Sequence, residues 1–150
     1  MEGGEEKKEI KEVFPVVISE AAAVAEVTAY LDAKRVKPLM RSARMGNIGI
    51  LVQAVMYGEI TINHETWVIT HKLNFPINDQ SGNIYKKELE YKFRVSLGEI
   101  SEIMRNVSDS TEMGNTKAYG AALTGLPAAV IEKLDTSDSA ILASIGVFFS

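Results

Sequence analysis

Cysteine is absent from this 150-residue chain. With it go disulfide scaffolds, thiolate zinc sites, iron–sulfur ligation and thiol nucleophiles. The absence does not decide compartment, because a cysteine-free chain suits cytosol and exterior alike. Histidine is scarce too, at 2 residues, His64 and His71. Read as members of one continuous strand, seven positions apart, they point to opposite faces and cannot share a metal ion. They read as ordinary strand histidines, and neither stands beside an evident serine and carboxylate set. There is no G-x-S-x-G elbow, so serine-nucleophile chemistry has no support. Gly46-Asn47-Ile48-Gly49 is a bare G-x-x-G, with no strand before it and no Lys-Ser/Thr after it. It meets neither a phosphate-loop nor a dinucleotide signature, its surroundings do not fit a KH module, and it reads as a helix kink or close-packing point. These absences imply no cofactor and no enzyme.

Long hydrophobic runs are missing as well. The longest apolar stretch, residues 48–57, is interrupted by Gly49 and Gln53, and it falls well short of the roughly 20 residues that span a bilayer. The start, Met1-Glu2-Gly3-Gly4-Glu5-Glu6, leads into no apolar segment of secretory type. The expectation is a soluble protein with no membrane partner. Nor is there an excess of positive charge: 16 Lys and Arg stand against 20 Asp and Glu, for a net −4. That balance argues against general nucleic-acid binding.

What is present suits an ordinary globular domain. Apolar residues make up 46% and charged residues 24%, and the length allows one compact domain or two halves sharing a core. Residues 1–12 are charged throughout apart from Ile10, the glycines and the initiator, and read as a mobile tail or frayed helix. Residues 13–18 lean toward β, but Pro15 limits them to an edge strand or an extended lead-in. Ser19 can cap a helix over residues 20–33, with Val24, Val27 and Leu31 as its apolar stripe. A second helix opens at Pro38, carries Leu39, Ile48, Leu51, Val52 and Val55 inward, breaks near residues 45–49 and stops at Gly58. Strand alternation follows, with Trp67, Ile69, His71, Leu73, Phe75 and Ile77 on one face. Turn residues 78–83 lead to a second strand with Tyr85, Leu89, Tyr91, Phe93 and Val95 inward. Residues 59–63 are a candidate third strand, since a lone hairpin is marginal.

Beyond residue 95 the pattern is helical. Ser96 and Glu99 form an S-x-x-E capping box for a helix holding Ile100, Ile103, Met104 and Val107. Residues 108–115 read as a loop and 116–123 as a short helix closed by Gly125. Pro127 suits a first turn, and Asp135 or Thr136 caps a last helix with Ile141, Leu142, Ile145, Phe148 and Phe149. The three-residue spacing of Asp135 and Asp138 fits helix capping better than acid–base work. The fold class is α+β: N-terminal helices, a central antiparallel β-hairpin and a C-terminal bundle of short helices. The chain divides into residues 1–12, an N-terminal helical extension over 13–60, and a hairpin-plus-helix part over 61–150.

Charge is uneven along the chain. Lys34, Arg35, Lys37, Arg41 and Arg44 are five cations with no acid among them, so the other residues carry −9 of the net −4. This segment reads either as a docking surface for an acidic partner helix or as a solvated helix face. Phe148 and Phe149 at the far end read as core anchors or as an exposed patch, with the core preferred.

Leu123-Thr124-Gly125-Leu126-Pro127, followed by Val130, Ile131, Leu134, Asp135, Asp138, Ile141, Leu142, Val147 and Phe148, resembles the C-terminal half of the small tail assembly chaperones of contractile-tailed phages of the Mu and P2 type. Those proteins open with a strand ending in a Tyr-Pro-Ile type tripeptide, matched here by Asn74 and Phe75-Pro76-Ile77, and the resemblance covers about residues 66–150. It implies a non-enzymatic role, with Phe75, Pro76, Ile77, Leu123, Gly125, Leu126, Pro127, Leu134 and Asp138 as structural residues. Such chaperones bind the tape-measure protein in the cytoplasm of the bacterial host and keep it soluble during tail assembly. The alternative is a structural tail or baseplate subunit retained in the virion tail, with residues 13–60 making subunit contacts. A homo-oligomer suits either role. Residues 1–60 are a departure, since the short family members lack them.

Overall fold

The computed structural model describes residues 14–106 and 112–149. The charged segment 1–12, Val13, Val107, the first residues of the expected 108–115 loop and Ser150 lie outside them. Helix α1 spans Glu20–Ala33, and its Ser19 cap accepts a hydrogen bond from the Ala22 amide at 3.2 Å. The helix buries Ala23, Val27, Tyr30 and Leu31 while Val24 faces out, so its inner face is turned one position from the expected stripe. At its end Arg35 takes φ 59, and the Val36 amide returns to the Leu31 carbonyl at 3.0 Å. This is a left-handed C-terminal cap built on arginine rather than glycine.

The expected second helix is two, α2 (Pro38–Ala43) and α3 (Met45–Met56). The break falls at Arg44, whose φ of −116 and ψ of 26 leave the helical region. Gly46 and Gly49 lie inside α3, with open space where a Cβ would stand, so they are neither the kink nor a close-packing point. Helix α3 buries Leu51, Ala54 and Val55, whereas Leu39 on α2 is outside the core. Gly58 at φ 72 ends α3. The Val17 side chain lies 3.0 Å from where a Cβ at that glycine would stand. Residues 14–18 are the extended lead-in rather than a strand, held by the Val17 amide on the Met56 carbonyl at 2.7 Å.

Strands β1 (Ile60–Ile62), β2 (Ile69–Asn78) and β3 (Ile84–Tyr91) form one antiparallel sheet in that order. Strand β2 starts later than its alternation suggests. Asn63 Oδ1 accepts from the Glu65 and Thr66 amides at 2.8 and 3.0 Å, and Trp67 turns at φ 60. Trp67 therefore belongs to the connection, and so does His64. Ile69, His71, Leu73 and Ile77 face inward as their parity requires, but Phe75 is 60% exposed. The cause is a bulge: Lys72 pairs with Glu88 and Ile77 with Lys86, so β2 runs several residues against one and the ladder is interrupted around Phe75. On β3, Leu89 and Tyr91 point inward and Tyr85 does not.

The C-terminal helices are α4 (Leu97–Asn106), α5 (Glu112–Thr124), α6 (Ala128–Ile131) and α7 (Thr136–Gly146). The capping box is present in both directions, Glu99 amide to Ser96 Oγ at 3.1 Å and Ser96 amide to Glu99 Oε2 at 3.3 Å. Helix α5 begins earlier than expected, absorbing residues 112–115. It ends at Gly125, φ 73, whose amide reaches the Ala121 carbonyl at 2.8 Å. Pro127 is the residue before α6 rather than its first turn. One hydrophobic cluster joins all of this: Val27, Tyr30, Leu51 and Val55 from the N-terminal helices meet Ile69 and Leu89 from the sheet and Leu142 and Ile145 from α7. The segments 13–60 and 61–150 thus share a core. No helix among the described residues is long and apolar enough to cross a membrane.

Candidate partner-binding surface

The polar residues with the strongest chemistry are sealed inside. His71 and Asp138 are each 0% exposed. The Tyr91 hydroxyl and His71 Nδ1 are 2.7 Å apart, and His71 Nε2 lies 3.4 Å from Asp138 Oδ1, out of line for a hydrogen bond. The Asp138 carboxylate accepts from the Asn74 amide at 2.9 Å and the Phe75 amide at 3.1 Å. These are backbone donors that the β2 bulge has taken out of the ladder, so a buried carboxylate supplies the partner that the neighbouring strand cannot. The capping reading of Asp138 is corrected on this point. Asp135 alone caps α7, accepting from the Ser137 amide at 3.0 Å, and the Ser137 hydrogen bonds hold its carboxyl below the usual carboxylate range. Burial pushes the His71 pKa down against the opposing pull of Asp138, and burial pushes the Tyr91 hydroxyl up. A neutral imidazole with its proton on Nε2 accepts from Tyr91 at Nδ1 and turns that proton toward Asp138. Fully buried, the group ties β2, β3 and α7 together and presents nothing to a substrate.

Both residues carried a sequence signal. His71 alternates with Ile69 and Leu73 on the inner face of β2, and Asp138 precedes Ile141, Leu142 and Ile145 at helical spacing on the apolar stripe of α7. A polar residue at an inward position needs a buried partner. Which partner it finds depends on how the strand and helix meet. His64, by contrast, lies in the β1–β2 connection, packed edge-on against Trp67 with ring centroids 5.3 Å apart.

The basic segment divides into engaged and free cations. Arg41 bonds the Asp32 carboxylate at 2.7 Å and the Val36 carbonyl at 2.9 Å. Lys34 donates to the Phe93 carbonyl at 2.8 Å and lies 3.4 Å from the centre of the Phe149 ring. Lys37 and Arg44 are exposed and make no ion pair among the described residues. Phe148 is buried in the core and Phe149 is packed against it, the preferred reading of that pair.

Close in sequence to these cations stand exposed apolar side chains, of which the helical spacing turned Leu39 inward. Helix α2 buries none of its residues. Leu39 is 83% and Met45 71% exposed, with Met40 and Ile50 also on the outside. The glycine pair leaves open space on the same short stretch of chain. Leu39, on a short helix with no buried residue, and Met45, at the start of the next, are held in water with Lys37 and Arg44 near them in sequence.

No known family model, curated protein or solved structure matches the chain. Of the motif residues, Ile77 and Leu123 are buried, Gly125 makes the left-handed cap and Asp138 holds the bulge beside Phe75-Pro76. Leu126 and Pro127 line an open groove of about 560 Å³ between α4, α5 and α6, and Leu134 lines another of about 660 Å³ beside α7.

Proposed function

We propose that the chain is a non-catalytic binding protein of phage or prophage tail assembly, a chaperone that keeps the tape-measure protein soluble in the host cytoplasm. The observation that carries this reading is the exposed Leu39, Met40, Met45 and Ile50 surface with Lys37 and Arg44 beside it. A long amphipathic helix rich in acids has the matching chemistry: apolar side chains to cover the α2–α3 surface and carboxylates for the two cations. The order of hairpin, capped helix and Leu-Thr-Gly-Leu-Pro turn supports the same family of roles. The exposed lead-in at Phe14, Val16 and Val17 favours a second reading, a tail or baseplate subunit that uses this arm for subunit contacts.

Quantitative mass spectrometry of purified particles beside the unpurified lysate separates the two. Abundance in lysate with absence from particles supports the chaperone, and constant stoichiometry in particles makes the chain a structural component. The surface is tested by Leu39→Ser with Met45→Ser. Both side chains are exposed, so the variant folds, and co-purification of the tape-measure protein falls sharply. Unchanged co-purification overturns this surface. Arg41 is unsuited to such a test because it braces the α1–α2 junction through Asp32.

A further inference from the structure

A separate cavity of about 400 Å³ opens where the end of α1 meets the chain leaving β3, lined by Ala33, Lys34, Arg35, Phe93 and Arg94. Three of the five lining residues are cations and none is an acid. In a chain of net charge −4 that concentration needs a reason. None of the three makes an ion pair with a described carboxylate, and Asp32, the acid nearest in sequence, is held by Arg41 at 2.7 Å. Two of them lie near the Phe93 ring, the Lys34 ammonium 4.9 Å and the Arg94 guanidinium 5.5 Å from its centre. Lys34 spends one hydrogen bond on the Phe93 carbonyl and lies 3.4 Å from the centre of the Phe149 ring, which leaves at most one of its three N–H groups to point into the cavity. Arg35 lines the cavity from a left-handed backbone, φ 59, a conformation that disfavours a residue with a side chain and suits glycine.

We propose that this cavity is a binding site for a phosphate group, free or carried by a small molecule, with Lys34, Arg35 and Arg94 as its ligands. Two forked guanidiniums and a point-charge ammonium suit a multiply charged tetrahedral oxyanion better than a planar, singly charged carboxylate. The volume leaves room beside the phosphate for the rest of a small phosphomonoester. The electrostatics agree: burial and then the Arg94 charge push the Lys34 pKa down to about 8, a repulsion that a bound dianion would relieve.

The test is NMR on the full chain labelled with ¹³C, following the Lys34 Cε–Hε signal against inorganic phosphate and, separately, acetate at matched ionic strength. Phosphate is expected to shift the signal saturably and to raise the Lys34 pKa. Arg94→Gln raises that pKa without any phosphate and weakens phosphate binding by roughly tenfold, the loss of one charged hydrogen bond. Arg35→Gly removes a ligand while relaxing the backbone, so it weakens phosphate binding in a protein at least as stable. A shift that fails to saturate, equal binding in both variants, or acetate binding as tightly as phosphate overturns the proposal.

Discussion

Asp138 occupies a position where the apolar stripe of α7 calls for a leucine or isoleucine, and its neighbours explain why a carboxylate is there. Two backbone amides at the β2 bulge and the edge of a buried imidazole converge on it. Asp138→Ala should leave both amides without partners and lower the unfolding free energy by about 3 kcal/mol. Denaturant titration checks this, and a midpoint within error of the parent would show that the bulge does not depend on the carboxylate. His71 sets a pH dependence whose sign follows from its lowered pKa. Above the unfolded-state pKa of about 6.5 both states hold a neutral imidazole, and stability is at its full value. Below it the unfolded chain takes up a proton that the folded one refuses, so stability falls as pH drops toward the folded-state pKa, by at most about 1.4 kcal/mol per pH unit. Thermal or urea unfolding between pH 7.5 and 5.5, roughly the histidine range, should show this slope in the parent and a flatter one in His71→Gln. Equal slopes would remove His71 as the cause.

Helices and strands were legible wherever their ends are set by near neighbours. Ser19, Ser96, Asp135 and Gly125 each bond or turn within four residues of themselves, and such contacts are written in the sequence as spacing. Ser96→Ala should cost about 1 kcal/mol by removing the cap on α4, read as a lower denaturant midpoint with an unchanged slope. An unaltered midpoint would mean that the box is not holding the helix end. Faces were less legible than ends. On α1 the pattern Val24, Val27, Leu31 and the pattern Ala23, Val27, Tyr30, Leu31 are both helical, and only the approach of α3 selects the second. The same holds at Leu39, whose spacing fits the stripe of α3. The chain turns at Arg44, and that turn leaves Leu39 on a helix of its own in water. Phe75 has strand parity for the interior, and the bulge cancels it.

The division of the chain at residue 60 is not where a core ends. Helix α3 packs on both α1 and α7, and Asn47 on α3 bonds Ser144 on α7 at 3.3 Å. Residues 61–150 expressed alone should therefore lack cooperative unfolding and dispersed NMR signals, because Leu142, Ile145 and Ile69 would lose the apolar surface opposite them. A cooperative transition in that fragment would show that residues 13–60 are an accessory layer. The α+β class and the element order were readable because composition and periodicity constrain them over short windows. The candidate surfaces were not, because exposure is decided by what fails to be covered once every other element has found its place.

Cap chemistry, glycine stops and the change from a three-to-four-residue to a two-residue period follow from residues a few positions apart, and they specified helix, strand and turn before any contact was known. The pairing of His71 with Tyr91 and of Asp138 with the bulge joins residues 20 and 64 positions apart. The hold of Lys34 on Phe93 spans 59. No local free energy selects such partners. They are chosen when a shared core packs α1 and α3 against the sheet and α7, and the same packing leaves Leu39 and Met45 in water and gathers three cations around one cavity.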